Sequence, residues 1–203
     1  MPFKKLHSDI REQLESLDIE TPTPFQSSSI PVIKSGVNTY CIAPKGSGKT
    51  STLVWTTLQK LKCQSAGNAP RAVVLVENKD RAMELYQTFL AYTKYNSLRV
   101  YVGHEQLHID IQKSEIFMGV DILISTPKTM NKLFLLNGVS TAQLKLISID
   151  DAGFLSQHSS YTALMSISQS IQKCQYVIYS EKMQPVLKRF KSYFMEYSKI
   201  IAI

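Results

Sequence analysis

Long apolar runs are missing from this 203-residue chain, so no segment long enough to cross a bilayer is expected. The first residues, Met1-Pro2-Phe3-Lys4-Lys5, lead into charged sequence and lack the apolar core of a secretory signal. Cysteine is scarce: Cys41, Cys63 and Cys174 are odd in number, widely spaced and form no C-x-x-C pair. That excludes a disulfide framework and fits buried thiols in a reducing compartment, which makes a cytoplasmic protein the expectation. No internal repeat and no low-complexity tract interrupts the chain. Negative charge is also in deficit, with 16 Asp and Glu against 23 Lys and Arg for a net charge of +7. The excess is a modest lean toward polyanionic partners such as nucleic acid.

What is present is a regular alternation. Short apolar runs read as strands at Thr39–Ala43, Ala72–Val76, Leu98–Val102, Ile122–Ser125, Leu144–Asp150, Gln175–Tyr179 and Lys199–Ile203. Several are apolar at successive positions, as strands covered by helices on both faces must be. Amphipathic segments between them read as helices at Lys49–Lys62, Lys79–Tyr92, Leu107–Phe117, Lys128–Leu136, Tyr161–Ile171 and Gln184–Phe194. Two more helices, Lys4–Leu17 and Pro24–Lys34, precede the first strand across a Thr-Pro-Thr-Pro turn. The pattern predicts an α/β fold, a parallel doubly wound sheet with ligands at the carboxyl ends of its strands. The length suits one well-buried domain. Tyr86, Phe89, Tyr92, Phe190 and Phe194 recur at helical spacing and are expected in the core. Gln64–Pro70 is expected to be a mobile loop.

The most informative stretch is Ala43-Pro44-Lys45-Gly46-Ser47-Gly48-Lys49-Thr50, set between an apolar strand and a helix. Its glycines let the backbone curl so that successive N–H groups point inward at phosphate oxygens. The helix N-terminus adds partial positive charge. Lys49 is expected to reach the outer phosphates, and the Thr50 hydroxyl to ligate magnesium. The strict pattern opens with Gly where this chain has Ala43. A second acidic element follows the strand Leu146-Ile147-Ser148-Ile149. Asp150 at its tip is expected to hold Mg2+ and Asp151 to position or deprotonate the attacking water.

Taken in order, these motifs resemble the first RecA-like domain of a DEAD-box RNA helicase across essentially the whole chain. Leu17–Gln26 resembles that family's Q motif, with Phe3 as its upstream aromatic. The resemblance implies ATP, its adenine read by the Gln26 amide, which can both donate and accept. Ile19 stands where the family commonly stacks an aromatic on the base. Residues 1–36 are then an N-terminal helical and Q-motif-like segment, and 37–203 the RecA-like ATP-binding domain. Glu77-Asn78-Lys79-Asp80-Arg81-Ala82 stands where the family has Pro-Thr-Arg-Glu-Leu-Ala, Gly103 keeps one glycine of a Gly-Gly pair, and Thr126-Pro127-Lys128-Thr129 matches Thr-Pro-Gly-Arg without its arginine. The resemblance implies an RNA backbone contact through Asn78, Lys79, Gly103, Thr126 and Lys128.

Departures concentrate in the hydrolytic machinery. Asp-Asp-Ala-Gly replaces Asp-Glu-Ala-Asp, which shortens the catalytic carboxylate at Asp151 and leaves Gly153 where an aspartate belongs. Ser180-Glu181-Lys182 replaces Ser-Ala-Thr. In the family, that aspartate and that triplet couple hydrolysis to strand separation, so Gly153 and Ser180 imply impaired coupling. The resemblance also implies a second RecA-like domain, in a longer protein, that closes the site and supplies arginines. Binding of Mg-ATP and RNA with weak or no hydrolysis by this stretch is the expectation. A non-hydrolysing nucleotide- or RNA-binding scaffold is the alternative. A small-molecule P-loop kinase lacks a lid-like arginine cluster. Finally, His104-Glu105-Gln106-Leu107-His108 fits the H-E-x-x-H pattern of zinc proteases, a remote alternative that requires both histidines on one helical face.

Overall fold

Strands of Val, Ile and Leu without a polar face need cover on both sides, and the chain supplies it. The structure, a computed structural model, describes residues 3–171 and 173–203. Seven strands run β1 (Thr39–Ile42), β2 (Ala72–Leu75), β3 (Val100–Gly103), β4 (Ile122–Ser125), β5 (Leu146–Ile149), β6 (Gln175–Ser180) and β7 (Lys199–Ala202). They lie side by side as β3-β4-β2-β5-β6-β1-β7, and every neighbouring pair is parallel. Side chains alternate faces along each strand. On β2, Val74 joins the core beneath helices α1 (Ser8–Ser16), α2 (Pro24–Lys34), α3 (Lys49–Leu61) and α4 (Lys79–Thr93). Its neighbours Val73 and Leu75 join the opposite core, under α5 (Ile109–Met118), α6 (Pro127–Leu135), α7 (His158–Gln169) and α8 (Pro185–Arg189). Every strand and helix expected from the sequence is present.

Boundaries differ where side chains compete with the backbone. β3 starts at Val100, not Leu98, because the Arg99 N–H donates to the Asp121 carboxylate at 3.1 Å instead of entering the ladder. The last helix ends at Arg189, and a tighter 3₁₀ turn over Phe190–Ser192 follows. That turn seats the fully buried Phe190 ring on Tyr161, stacked with centroids 5.6 Å apart. Of the expected core aromatics, Phe89, Tyr92 and Phe190 are buried, while Tyr86 and Phe194 are partly so.

One buried carboxylate fastens the amino ends of three strands. Asp121, fully buried, precedes β4, while Arg71 and Arg99 precede β2 and β3. Its Oδ1 accepts from Arg71 Nη2 at 2.7 Å, Arg71 Nε at 3.2 Å and the Ala66 N–H at 3.1 Å. Its Oδ2 accepts from Arg99 Nε at 2.8 Å. Burial alone would raise this carboxyl, but the arginines and backbone N–H groups outweigh it and hold Asp121 below the usual carboxylate range. The same cluster ties down the loop expected to be mobile, since Arg71 and Arg99 donate to the carbonyls of Gln64 and Gly67. No described helix is long and apolar enough to cross a membrane.

Candidate functional site

The loop after β1 is built around two left-handed glycines, Gly46 at φ 82° and Gly48 at φ 91°. Gly48 is also the N-cap of α3, and it has no side chain to cap the first turn. The leading N–H groups of that helix therefore lack a side-chain partner, the arrangement that favours an anion. The Ser47 hydroxyl is buried without a partner as well. Lys49 folds back on its own loop, and Nζ donates to the carbonyls of Ala43 at 2.6 Å and Pro44 at 2.9 Å. Ala43 is itself buried at the end of β1, which leaves no need for a glycine there. Lys45, Gly46, Gly48, Lys49, Thr50, Arg81, Asp150, Asp151 and Glu181 line a cleft of about 530 Å³ over this loop.

The segment ahead of α2 is locked to the loop. Thr23 caps α2 in a reciprocal capping box: Gln26 N–H donates to Thr23 Oγ1 at 3.2 Å, and Thr23 N–H donates to Gln26 Oε1 at 2.9 Å. The Thr23 hydroxyl then donates to the Ser47 carbonyl at 2.7 Å. Gln26 packs so closely on Gly48 that a Cβ there would lie 2.4 Å from Gln26 Nε2, which adds to the preference for glycine that the positive φ already sets. A second cleft of about 330 Å³ opens beside Gln26, lined by Phe3, Pro22, Ile30 and Lys34 among others. Ile19 lines neither cleft. Its N–H bonds the Leu14 carbonyl at 2.9 Å, and the side chain packs half-buried on the core. Phe3 meets Trp55 edge-on at 5.5 Å and anchors the N-terminal segment.

Thr50 and Asp150 do converge, and the group they converge on is Arg81. Its Nη2 lies 2.7 Å from Asp150 Oδ2 and donates to Thr50 Oγ1 at 3.0 Å. Nε donates to the same Oδ2 at 2.7 Å, and Nη1 reaches the exposed Glu84 at 3.0 Å. Asp150 is 2% exposed, and burial pushes its carboxyl up against the opposing pull of Arg81. Burial works to lower Arg81, but Asp150 and Glu84 together raise it and keep the guanidinium charged. A divalent ion bridging Thr50 to Asp150 needs the volume this guanidinium fills, so the residues as placed do not fit magnesium. Sequence reading missed Arg81. The available signal was a basic residue in the first turn of α4 where the family pattern has leucine.

The expected nucleic-acid residues come together at the carboxyl ends of β2, β3 and β4. Asn78, Lys79, Thr126 and Lys128 share a cleft of about 340 Å³ with Glu77, Asp80, Glu105 and Gln106. Asn78 and Thr126 cap α4 and α6. Two lysines thus face three carboxylates, and the Thr126 hydroxyl donates to Glu105. Lys79 is held by Gln106 Oε1 at 2.7 Å. Gly103 lies behind this cleft, where a Cβ would meet Gln112 Oε1 at 2.8 Å. A side chain at position 103 would therefore push the Gln112 amide aside.

Asp151 is exposed and left-handed at φ 51°. Gly153 opens beside Gln184, and Ser180 Oγ donates to the Lys182 carbonyl of its own turn at 2.9 Å. The coupling pair expected from the resemblance is thus not connected. The protease-like motif fails on geometry. His104–His108 is a turn between β3 and α5, not a helix. His104 Nδ1 accepts from the Gln106 N–H at 3.3 Å in that turn, while the exposed His108 pairs with Asp110 at 3.6 Å. Among the described residues, the one acid, cysteine and histidine cluster compact enough for a metal is His7, Asp9 and Cys63, remote from this motif.

Comparison with known proteins agrees with this architecture. A Dictyostelium discoideum protein described as a probable ATP-dependent RNA helicase, ddx42, is 27% identical over 176 residues, 85% of this chain and 18% of its own length. A DEAD box protein from the hyperthermophile Methanococcus jannaschii superposes with a TM-score of 0.89 at 17% identity, over 98% of this chain and 55% of that one. The S. cerevisiae dbp5 seen with nup159, gle1, ip6 and adp superposes at 0.83 with 15% identity, over 97% of this chain and 52% of that one. The chain spans only part of its curated relatives, 12% of the length of one and 23% of another. The profile of the DEAD/DEAH box helicase family matches residues 23–188, most of the chain, and the chain belongs to that family.

Proposed function

We propose that this chain is the ATP-binding RecA-like domain of an RNA-helicase-type protein, retaining nucleotide binding with weak or absent hydrolysis. The observation that carries this reading is the fusion of the α2 capping box to the Gly48 turn, which sets Gln26 beside a helix N-terminus built for phosphate. Residues 1–36 supply the base-reading side, and residues 37–203 the phosphate side. Gln26 Oε1 is partly committed to Thr23, so Nε2 is the donor left for an adenine ring nitrogen. Lys49 exchanges its two carbonyls for phosphate oxygens, which are stronger, charged acceptors. Asp151 orients water too loosely for efficient attack, since it sits exposed on a left-handed turn. A second RecA-like domain in a longer protein would supply what this half lacks. The three free thiols fit a protein of a reducing compartment.

Titration with ATP and GTP tests the base assignment. ATP is expected to bind about tenfold more tightly, the worth of one specific hydrogen bond. Equal affinities would remove Gln26 from the base-reading role.

RNA is the proposed polyanion for the cleft of Lys79, Thr126 and Lys128. Its carboxylates oppose phosphate, so binding there is weak and falls with salt. Glu105→Gln removes one of those charges and frees the Thr126 hydroxyl. Affinity for a labelled single-stranded RNA should then rise about threefold to tenfold at low salt. Unchanged or weaker binding in fluorescence anisotropy would move the RNA elsewhere. The second reading, a non-hydrolysing scaffold, draws on the disconnected Gly153 and Ser180. RNA-stimulated ATPase activity of the full-length protein would exclude it.

A further inference from the structure

We propose that Arg81 is the resident cation of the phosphate site, so that this chain binds ATP without magnesium. The proposal rests on the nucleotide reading above and concerns how charge is balanced there. Asp150 is buried, and a buried carboxylate must be neutralised by proton, metal or cation. Arg81 does so with two donors on one oxygen, and the same Nη2 reaches Thr50. The two groups that would share a metal therefore already share a permanent charge. Arginine cannot lose its proton in a protein, and its planar fork suits phosphate oxygens. Nη1 is held only by Glu84, an exposed carboxylate one helical turn away on α4. That contact is cheap to release, which leaves Nη1 free to meet a phosphate.

The consequence differs from simple loss of metal. A guanidinium offers one charge and a fixed donor pattern, whereas Mg2+ offers two charges and holds ordered waters. Arg81 can therefore hold a triphosphate but cannot organise the attacking water through a metal shell. Its position also gives Asp150 a partner that needs no metal. Asp150 now anchors an arginine that spans α4 and the phosphate loop.

Calorimetric titration of the 203-residue chain with ATP, in excess EDTA and in excess MgCl2, tests this directly. The wild-type dissociation constants should agree within about twofold, and Arg81→Leu should bind at least about tenfold more weakly in EDTA than in magnesium. Wild-type binding that weakens tenfold or more in EDTA would overturn the proposal. So would an Arg81→Leu protein that binds as tightly as wild type in EDTA, because Arg81 would then not be the neutralising group. The wild-type comparison stands even if the variant folds poorly. No binding by the wild type in either buffer would overturn the nucleotide reading and this proposal together.

Discussion

Asp121→Ala is expected to cost the fold about 3–5 kcal/mol, the usual penalty for removing one partner of a buried ion pair. Against a typical domain stability of about 5–15 kcal/mol this is a large fraction. The loss has two sources. Arg71, only 6% exposed at its side chain, keeps its charge and loses its counter-ion. The backbone N–H groups of Ala66 and Arg99 lose their acceptor together. Asp121→Asn should fall between, since the amide keeps one acceptor and loses the charge. Urea denaturation would read the difference, and a variant within about 1 kcal/mol of wild type would sink the assignment. The pH dependence has a definite sign. The folded carboxyl is depressed, so its contribution is complete above the unfolded value near 3.9 and is lost as pH falls through the folded value. Wild-type stability should therefore decline below about pH 4 more steeply than that of Asp121→Ala.

Much of this architecture was legible in the sequence because the fold depends on short-range patterns. Ala72–Leu75 is apolar at every position and Ile122–Ser125 at all but its last, the pattern of a sheet covered on both faces. The loop after β1 was legible because its tight turn into α3 calls for glycine, and the structure puts both Gly46 and Gly48 at positive φ. The convergence of Asn78, Lys79, Thr126 and Lys128 was legible from their order alone, since parallel strands bring their carboxyl ends to one edge. What escaped were contacts between distant charges. Arg71, Arg99 and Asp121 lie apart in sequence and belong to no motif, so nothing local marks them as partners. Arg81 escaped for a related reason. Its neighbours matched a motif, and the odd residue within it read as erosion. Ile19 was misplaced because alignment to a pattern gives order, not direction, and its side chain turns into the core. The histidine motif stays a remote alternative in the sequence because spacing alone carries no information about whether the backbone is helical.

Lys49→Ala is expected to weaken ATP binding by at least about thirtyfold while leaving the fold intact. Three cations line the cleft, and they are not equivalent. Arg81 is spent largely on Asp150, and Lys45 is exposed to solvent, where its charge is screened. Lys49 alone is both partly enclosed and held only by neutral carbonyls, which it gives up when a charged acceptor arrives. Truncating such a partner costs roughly 2–5 kcal/mol of binding, much of it from phosphate charge left without compensation. Stability should change little, because α3 is fastened by Val54, Trp55 and Leu58, all buried in the core. A melting temperature within a few degrees of wild type, with binding lost, is the expected pair of results. Retained affinity would mean that the left-handed loop, the α3 N-terminus and Arg81 hold phosphate without Lys49. In that case the cation of this site would be Arg81 by itself, and Arg81→Leu in EDTA would then abolish what Lys49→Ala had spared.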